Sequence, residues 1–236
     1  MSSFSEITKF FTADPEELIA LKRRVTGDIL PPEGLADAIY CVGGTVDTQD
    51  QDLKMGAMLL STKRHGKIIG VLRGSTEHGY CGFEFCRDRL AGYGVDKKAI
   101  VPIDMLSEDS ERLNTLTEAK ALLYHCGVHG WKTVILCAPF FHQIRASSTL
   151  ISLLDYANPE LWVFNQRGHP EWMGRVKHSQ GVVEGDLFDL LIQELGRLFR
   201  YHAKGDIRSC ADLLAYYDHR DEIFLSEPLD NKARSS

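Results

Sequence analysis

The stretch ADAIYCVGG, from Ala36 to Gly44, decides the fold. Its first residues, to Val42, make a short, nearly continuous apolar run that stops at Gly43-Gly44, the pattern of a strand covered on both faces. Strands of that kind belong to parallel sheets, because crossover connections place helices over both faces. A helix and a further strand should then follow, and the chain supplies that pair four times. Leu53 to Lys63 reads as a helix before a strand at Ile68 to Leu72, and Phe83 to Ala91 as one before Ile100 to Ile103. Thr115 to Cys126 precedes Thr133 to Ala138, and Phe141 to Leu154 precedes Leu161 to Phe164. The alternation predicts an α/β fold with a doubly wound, mostly parallel, Rossmann-like sheet and helices on both faces.

Outside this core of about residues 36–165, the pattern is helical. PEELIALKRRVT, residues 15–26, has acids in its first turn and bases in its last, which complements a helix dipole. No clear strand follows residue 165; Leu187, Leu191, Leu195 and Leu198 recur at helical spacing from Asp186 to Tyr201. A second helix is read near Cys210 to Tyr217, so residues 183–218 form a helical extension of one domain that includes the whole chain.

The 236 residues are 44% hydrophobic and 25% charged, enough for one substantial core. A net charge of −6 gives no electrostatic footprint for nucleic acid or an anionic membrane surface. No run approaches the roughly 20 apolar residues of a membrane helix, and the first residues lack a basic segment followed by an apolar one. The six cysteines are scattered, two of them in apolar strand runs, as expected of a reduced cytoplasmic protein. The oligomeric state stays open.

In open α/β sheets ligands bind outside the carboxyl ends of the strands, so the loops there carry the candidates. Gly43-Gly44-Thr45 can bring a ligand close to backbone amides at a helix start; a tight turn is the alternative. It is not a G-x-G-x-x-G fingerprint, which argues against standard dinucleotide binding. Arg73-Gly74-Ser75-Thr76 sets a cation beside a glycine and hydroxyls, although a solvated loop explains it almost as well. Thr115 and Glu118 have capping-box spacing, which accounts for both and leaves Asn114 unexplained.

CAPFFHQIRA, Cys137 to Ala146, is the sharpest signal. His142 and Arg145 are three apart in a first helical turn and share a face, where they can hold an anion and move a proton. A surface histidine beside an exposed arginine is the bland alternative. His125 and His129 lack a third ligand, and His78, Cys81 and Cys86 lack a second pair, so no metal is expected. No G-x-S-x-G elbow or P-loop lysine motif occurs.

Taken in order, DAIYCVGG, RGST, Glu84, LNTLTEA and APFFHQIRA resemble the YdcF-like family, which includes the SanA and ElyC envelope proteins, over roughly Asp37 to Ile151. The resemblance implies a Rossmann-like domain with a pocket built by these loops. Carried onto matching positions, its pocket residues are Gly43, Gly44, Gly74, Ser75, Glu84, Asn114, Thr115, Glu118, His142 and Arg145. It also implies nucleotide-like ligands such as S-adenosylmethionine. The insert HGYCGFEFC and the long helical tail depart from the family pattern, and no SanA-like membrane anchor is read.

The reading that joins these signals is a protein binding a small anionic, nucleotide-like ligand. As a hydrolase or transferase acting on a phosphate-bearing substrate, it would use His142 as acid or base, Arg145 and Arg73 as the clamp, and Asn114 as the orienting group. Its rival is a non-catalytic metabolite sensor or scaffold whose helical tail meets a partner. A methyl transferase is a third reading.

Overall fold

Successive residues of the first apolar run are buried on opposite faces of a sheet. Ala38, Tyr40 and Val42 join one core cluster, while Ile39 and Cys41 join another. The computed structural model describes residues 15–63, 65–74, 76, 79–107, 113–155, 161–168, 174–178 and 183–225. Its elements run α1 (Pro15–Thr26), β1 (Ala38–Cys41), α2 (Val46–Ser61), β2 (Ile69–Arg73), α3 (Gly82–Gly92) and β3 (Ile100–Asp104), followed by α4 (Thr115–His129) and β4 (Thr133–Ala138). The remainder is α5 (Gln143–Ser152), β5 (Trp162–Arg167), the short β6 (Val176–His178) and β7 (Val183–Gly185), then α6 (Leu187–Ala203) and α7 (Cys210–Leu225).

Five strands form one sheet in the order β3-β2-β1-β4-β5, and every neighbouring pair is parallel. Cys41 of β1 lies opposite Val71 of β2 on one side and Cys137 of β4 on the other. The buried side chains of α2 and α3 pack with Ile39, Ile69 and Ile135 on one face, and those of α4 and α5 with Tyr40, Val134 and Leu136 on the other. This is the doubly wound, Rossmann-like arrangement that the alternation predicts. Strand order reverses between β1 and β4, so the crevice at their carboxyl ends is the place the topology offers to a ligand.

Several boundaries differ from the sequence reading, each for a local reason. Helix α2 starts at Val46, well before Leu53, because Thr48, Gln49 and Asp52 are buried polar residues that hide its apolar period. Helix α4 continues past Cys126 to His129, where Gly130 adopts the left-handed conformation at φ 69°. Helix α5 is shorter than expected at both ends, and β5 continues beyond Phe164 to Arg167. After β5 there are strands after all: β6 and β7 pair antiparallel, but three residues each are too few to alternate visibly. The hairpin is anchored on the start of α2, with Thr45 Oγ1 donating to Lys177 O at 2.6 Å and Lys177 N to Asp47 at 3.0 Å.

The helical extension also shifts. Helix α7 reaches Leu225 instead of Tyr217, and α6 buries Leu187, Leu190, Glu194 and Leu198, so Leu191 and Leu195 are only half-buried. Helix α7 guards the open edge of the sheet at β5, whose unpaired backbone groups would otherwise invite another strand. The Tyr216 hydroxyl accepts from Val163 N at 2.8 Å and donates to Leu161 O at 3.0 Å, while Arg220 Nη1 donates to Val163 O at 2.8 Å. Among the described residues no helix is long and apolar enough to cross a membrane.

Candidate functional site

The start of α4 is organised differently from its expected capping box. Asn114 is the N-cap, its Oδ1 accepting from Leu116 N at 2.9 Å and Thr117 N at 3.1 Å, with Thr117 returning the bond to Asn114 N. The unexplained residue is thus the cap, and the cap relieves Thr115 and Glu118 of that duty. The misreading came from two overlapping candidates one residue apart, N-x-x-T and T-x-x-E.

Glu118, buried, turns back to the carboxyl end of β1. Its Oε1 accepts from Gly43 N and from the Tyr40 hydroxyl, both at 2.6 Å. Burial pushes its carboxyl up to about 7, against the opposing effects of these two bonds and the nearby Arg145 guanidinium. The adjoining amide is also satisfied from within: Gly44 N donates to Gln49 Oε1 at 2.5 Å, and Gln49 Nε2 to Val42 O at 2.9 Å. The two glycine amides, expected to face a ligand, therefore already hold side-chain acceptors. Asp47, in the first turn of α2, adds a negative charge where an anion was expected.

His142 and Arg145 are neither exposed nor apart. Both are buried, and both reach Glu194 of α6. Arg145 donates through Nε to Glu194 Oε2 at 2.6 Å and through Nη2 to Oε1 at 3.2 Å, and its Nη1 bonds Thr115 Oγ1. Arg197 Nη1 donates to Oε1 at 2.8 Å. His142 Nδ1 lies 2.8 Å from Glu194 Oε2 and 3.1 Å from Arg145 Nη2. A carboxylate only accepts and the guanidinium already has it as acceptor, so Nδ1–H donates to Glu194 and Nε2 is the basic nitrogen.

Tyr80 joins the two halves. Its backbone pairs with Thr45, Cys81 N donates to Gly44 O at 3.3 Å, and its phenol feels Glu118, Arg145, Arg197 and Glu194. Burial above all pushes that phenol up to about 12. Tyr80 also lines, with Gly43, Gly44, Gly74, Cys81 and Leu113, a small open recess with room for about one water molecule.

The structure thus gathers Gly43, Gly44, Thr115, Glu118, His142 and Arg145 at the β1–β4 switch point, with Gly74 beside them and Thr45 bonded to the hairpin. Arg73 and Glu84 stand outside the group. Arg73 forks onto exposed Asp104, its register partner in β3, at 2.5 and 2.8 Å, and Glu84 pairs with Arg87 on the surface of α3. Arg73 is accordingly no clamp for this cluster. Ser75 and His78 lie outside the described residues. His125 Nε2 accepts from Asp104 N at 3.0 Å, and His129 stacks on Trp131.

Glu194, Arg197 and Tyr80 are members that sequence reasoning missed. Glu194 carried a signal: it is a charged residue at the spacing of the buried Leu187, Leu190 and Leu198. Asp52 was missed too; it is fully buried, with no hydrogen-bond partner on either carboxylate oxygen among the described residues, and burial raises its carboxyl well above the usual range. In comparisons with known proteins no family model, no curated protein and no solved structure matches the chain.

Proposed function

We propose that this chain is a YdcF-like protein that binds a small anionic, nucleotide-like ligand, S-adenosylmethionine among the candidates, at the β1–β4 switch point. One observation carries the reading: His142, Arg145 and Arg197 converge on a single buried carboxylate, that of Glu194. Two guanidiniums and an imidazole directed at one point are an oxyanion seat by chemistry, since planar forks and a ring N–H match paired oxygens. Buried cationic groups are costly, and an all-apolar seam would hold the helices as well or better, so their retention favours a functional use.

The reaction class that suits these groups is hydrolysis or group transfer at a phosphate-bearing substrate. There His142 Nε2 moves the proton and Arg145 neutralises the oxyanion. The alternative is a non-catalytic metabolite sensor, favoured by exposed Phe188 and Ile192, which stand one turn apart on α6 as a contact for a partner.

Thermal-shift titration with nucleotides, sugar phosphates and S-adenosylmethionine tests the reading. A ligand at a hundred times its Kd adds about 2.7 kcal/mol of stability, and the double variant His142→Ala, Arg145→Ala should abolish that gain. No stabilisation by any of them, or undiminished stabilisation of the double variant, defeats it. Turnover of a phosphate ester that vanishes in His142→Ala selects the enzyme; binding without product selects the sensor.

A further inference from the structure

The Glu194 carboxylate is bound as a ligand's would be. It takes at least four bonds within 3.2 Å, from Arg145 twice, Arg197 and His142, which fills its acceptor capacity. The seam between α5 and α6 around Arg145 and Glu194 leaves no room for a water. A ligand anion cannot share this seat with Glu194; one must leave.

Apolar packing holds α6 at both ends: Leu187 and Leu190 join the small cluster with Phe140 and Phe141, and Leu198 lies in the main core with Phe199 and Tyr201 packed against it. Glu194 is the buried residue between these two contacts. The other face of α6 leaves Phe188 at 65% and Ile192 at 69% exposed. Between these apolar contacts the ion cluster fixes the position of the middle of α6. A buried ion pair contributes little net stability but strong geometric preference, which suits a contact made to be exchanged.

From this we infer that Glu194 is an internal competitor for the anion seat and that α6 is a latch. The chain is closed when Glu194 occupies Arg145, Arg197 and His142, and opens when an external oxyanion takes its place and α6 moves away. This rests on the anion-binding reading above and adds its regulation. Ligand affinity is then lowered by the cost of displacing the internal carboxylate, and anything that captures the freed α6 face raises it.

Calorimetry with inorganic pyrophosphate on the full chain, as wild type, Glu194→Gln, Arg145→Ala and Arg145→Ala with Glu194→Gln, decides the matter. Glu194→Gln keeps the shape and removes the competing charge, so pyrophosphate should bind it about tenfold tighter or more, and the gain should vanish when Arg145→Ala is added. Hydrogen exchange on the unaltered chain should show faster exchange over residues 187–203 with pyrophosphate. Equal affinity in wild type and Glu194→Gln, with Arg145→Ala weakening binding, overturns the latch and leaves the anion site standing. Binding to none of the four proteins overturns both. If Glu194→Gln fails to fold, the exchange measurement decides alone: protection of α6 unchanged or increased by pyrophosphate overturns the latch.

Discussion

The Glu118 carboxylate lies 2.6 Å from the Gly43 amide nitrogen, so a residue of α4 holds the turn that ends β1. One bond ties the first turn of α4 to the turn after β1, two segments 75 residues apart in the chain that meet at the switch point of the sheet. The acceptor is a group whose charge depends on pH near neutrality, because burial pushes its carboxyl up to about 7.

A pH dependence of stability follows from that position. Between the ordinary value of 4.5 and about 7, the folded chain keeps a proton on Glu118 that the unfolded chain has lost. Stability therefore falls as pH rises through this window and levels off above it. Glu118→Gln retains an acceptor for Gly43 and Tyr40 but cannot ionise. Urea unfolding of the two proteins from about pH 4.5 to about pH 8 should show wild type losing on the order of 3 kcal/mol relative to the variant. Parallel curves would mean that Glu118 is ionised throughout.

The ion pair under α7 should be unforgiving to single changes. Arg220 Nη1 and Nη2 donate to the two Asp28 oxygens at 2.8 and 2.7 Å, and both side chains are buried. Arg220→Met leaves the Asp28 carboxylate buried without its cation, at a cost of about 3–5 kcal/mol, whereas Asp28→Asn with Arg220→Met should regain part of that loss. Thermal and urea midpoints give the comparison. A single variant within about 1 kcal/mol of wild type would show that water reaches Asp28.

The sheet was legible in the sequence because burial on both faces makes each central strand a plain apolar word, as in AIYC and TVILCA. Six of the expected site residues meet because strand ends determine where their loops go. What could not be read was partnership. Nothing local tells whether Gly43 N faces a ligand or Glu118, and nothing near CAPFFHQIRA reveals that an acid 49 residues after Arg145 closes on it. The pairing of Arg73 was hidden for a related reason: its partner Asp104 becomes adjacent only through the β2–β3 register. The hairpin of β6 and β7 escaped because it is held by Thr45 and Asp47 instead of by a pattern of its own.

Arg73 therefore provides a control. Its pair with Asp104 is about half exposed, and pairs of that kind contribute about 0–1 kcal/mol. Arg73→Ala should unfold within about 1 kcal/mol of wild type and bind pyrophosphate with unchanged affinity, while Arg145→Ala loses about tenfold or more. Equal losses in the two variants would return Arg73 to the site and count against the placement of the seat at α5.

Tyr216 should show what the edge guard contributes. Its hydroxyl is the acceptor for Val163 N of β5 and a donor to Leu161 O, just before that strand. Tyr216→Phe leaves a buried backbone N–H without its acceptor, a cost of about 1–3 kcal/mol, and presents an unpaired edge to other chains. Urea midpoints should fall by that amount, and light scattering on warming should rise earlier than in wild type. An unchanged midpoint together with unchanged scattering would mean that the edge is covered without Tyr216.

Gly56 tests whether packing or propensity governs α2. In an exposed helix Gly→Ala gains about 1 kcal/mol, because alanine loses less backbone entropy and shields the helix. At Gly56 the added methyl would lie 2.8 Å from Cys41 Sγ and 3.6 Å from the side chains of Ile39 and Ile69, so α2 must lift from the centre of the sheet. Overpacking of this kind costs about 1–3 kcal/mol, more than the propensity gain. Gly56→Ala should thus be destabilised by about 1 kcal/mol net, with Gly92→Ala, where a methyl meets nothing within 4 Å, neutral or stabilised. The cost should also reach the site, since α2 carries the Gln49 side chain that accepts from Gly44 N. A Gly56→Ala protein more stable than wild type would show that α2 does not press on β1 as closely as the Cys41 contact requires.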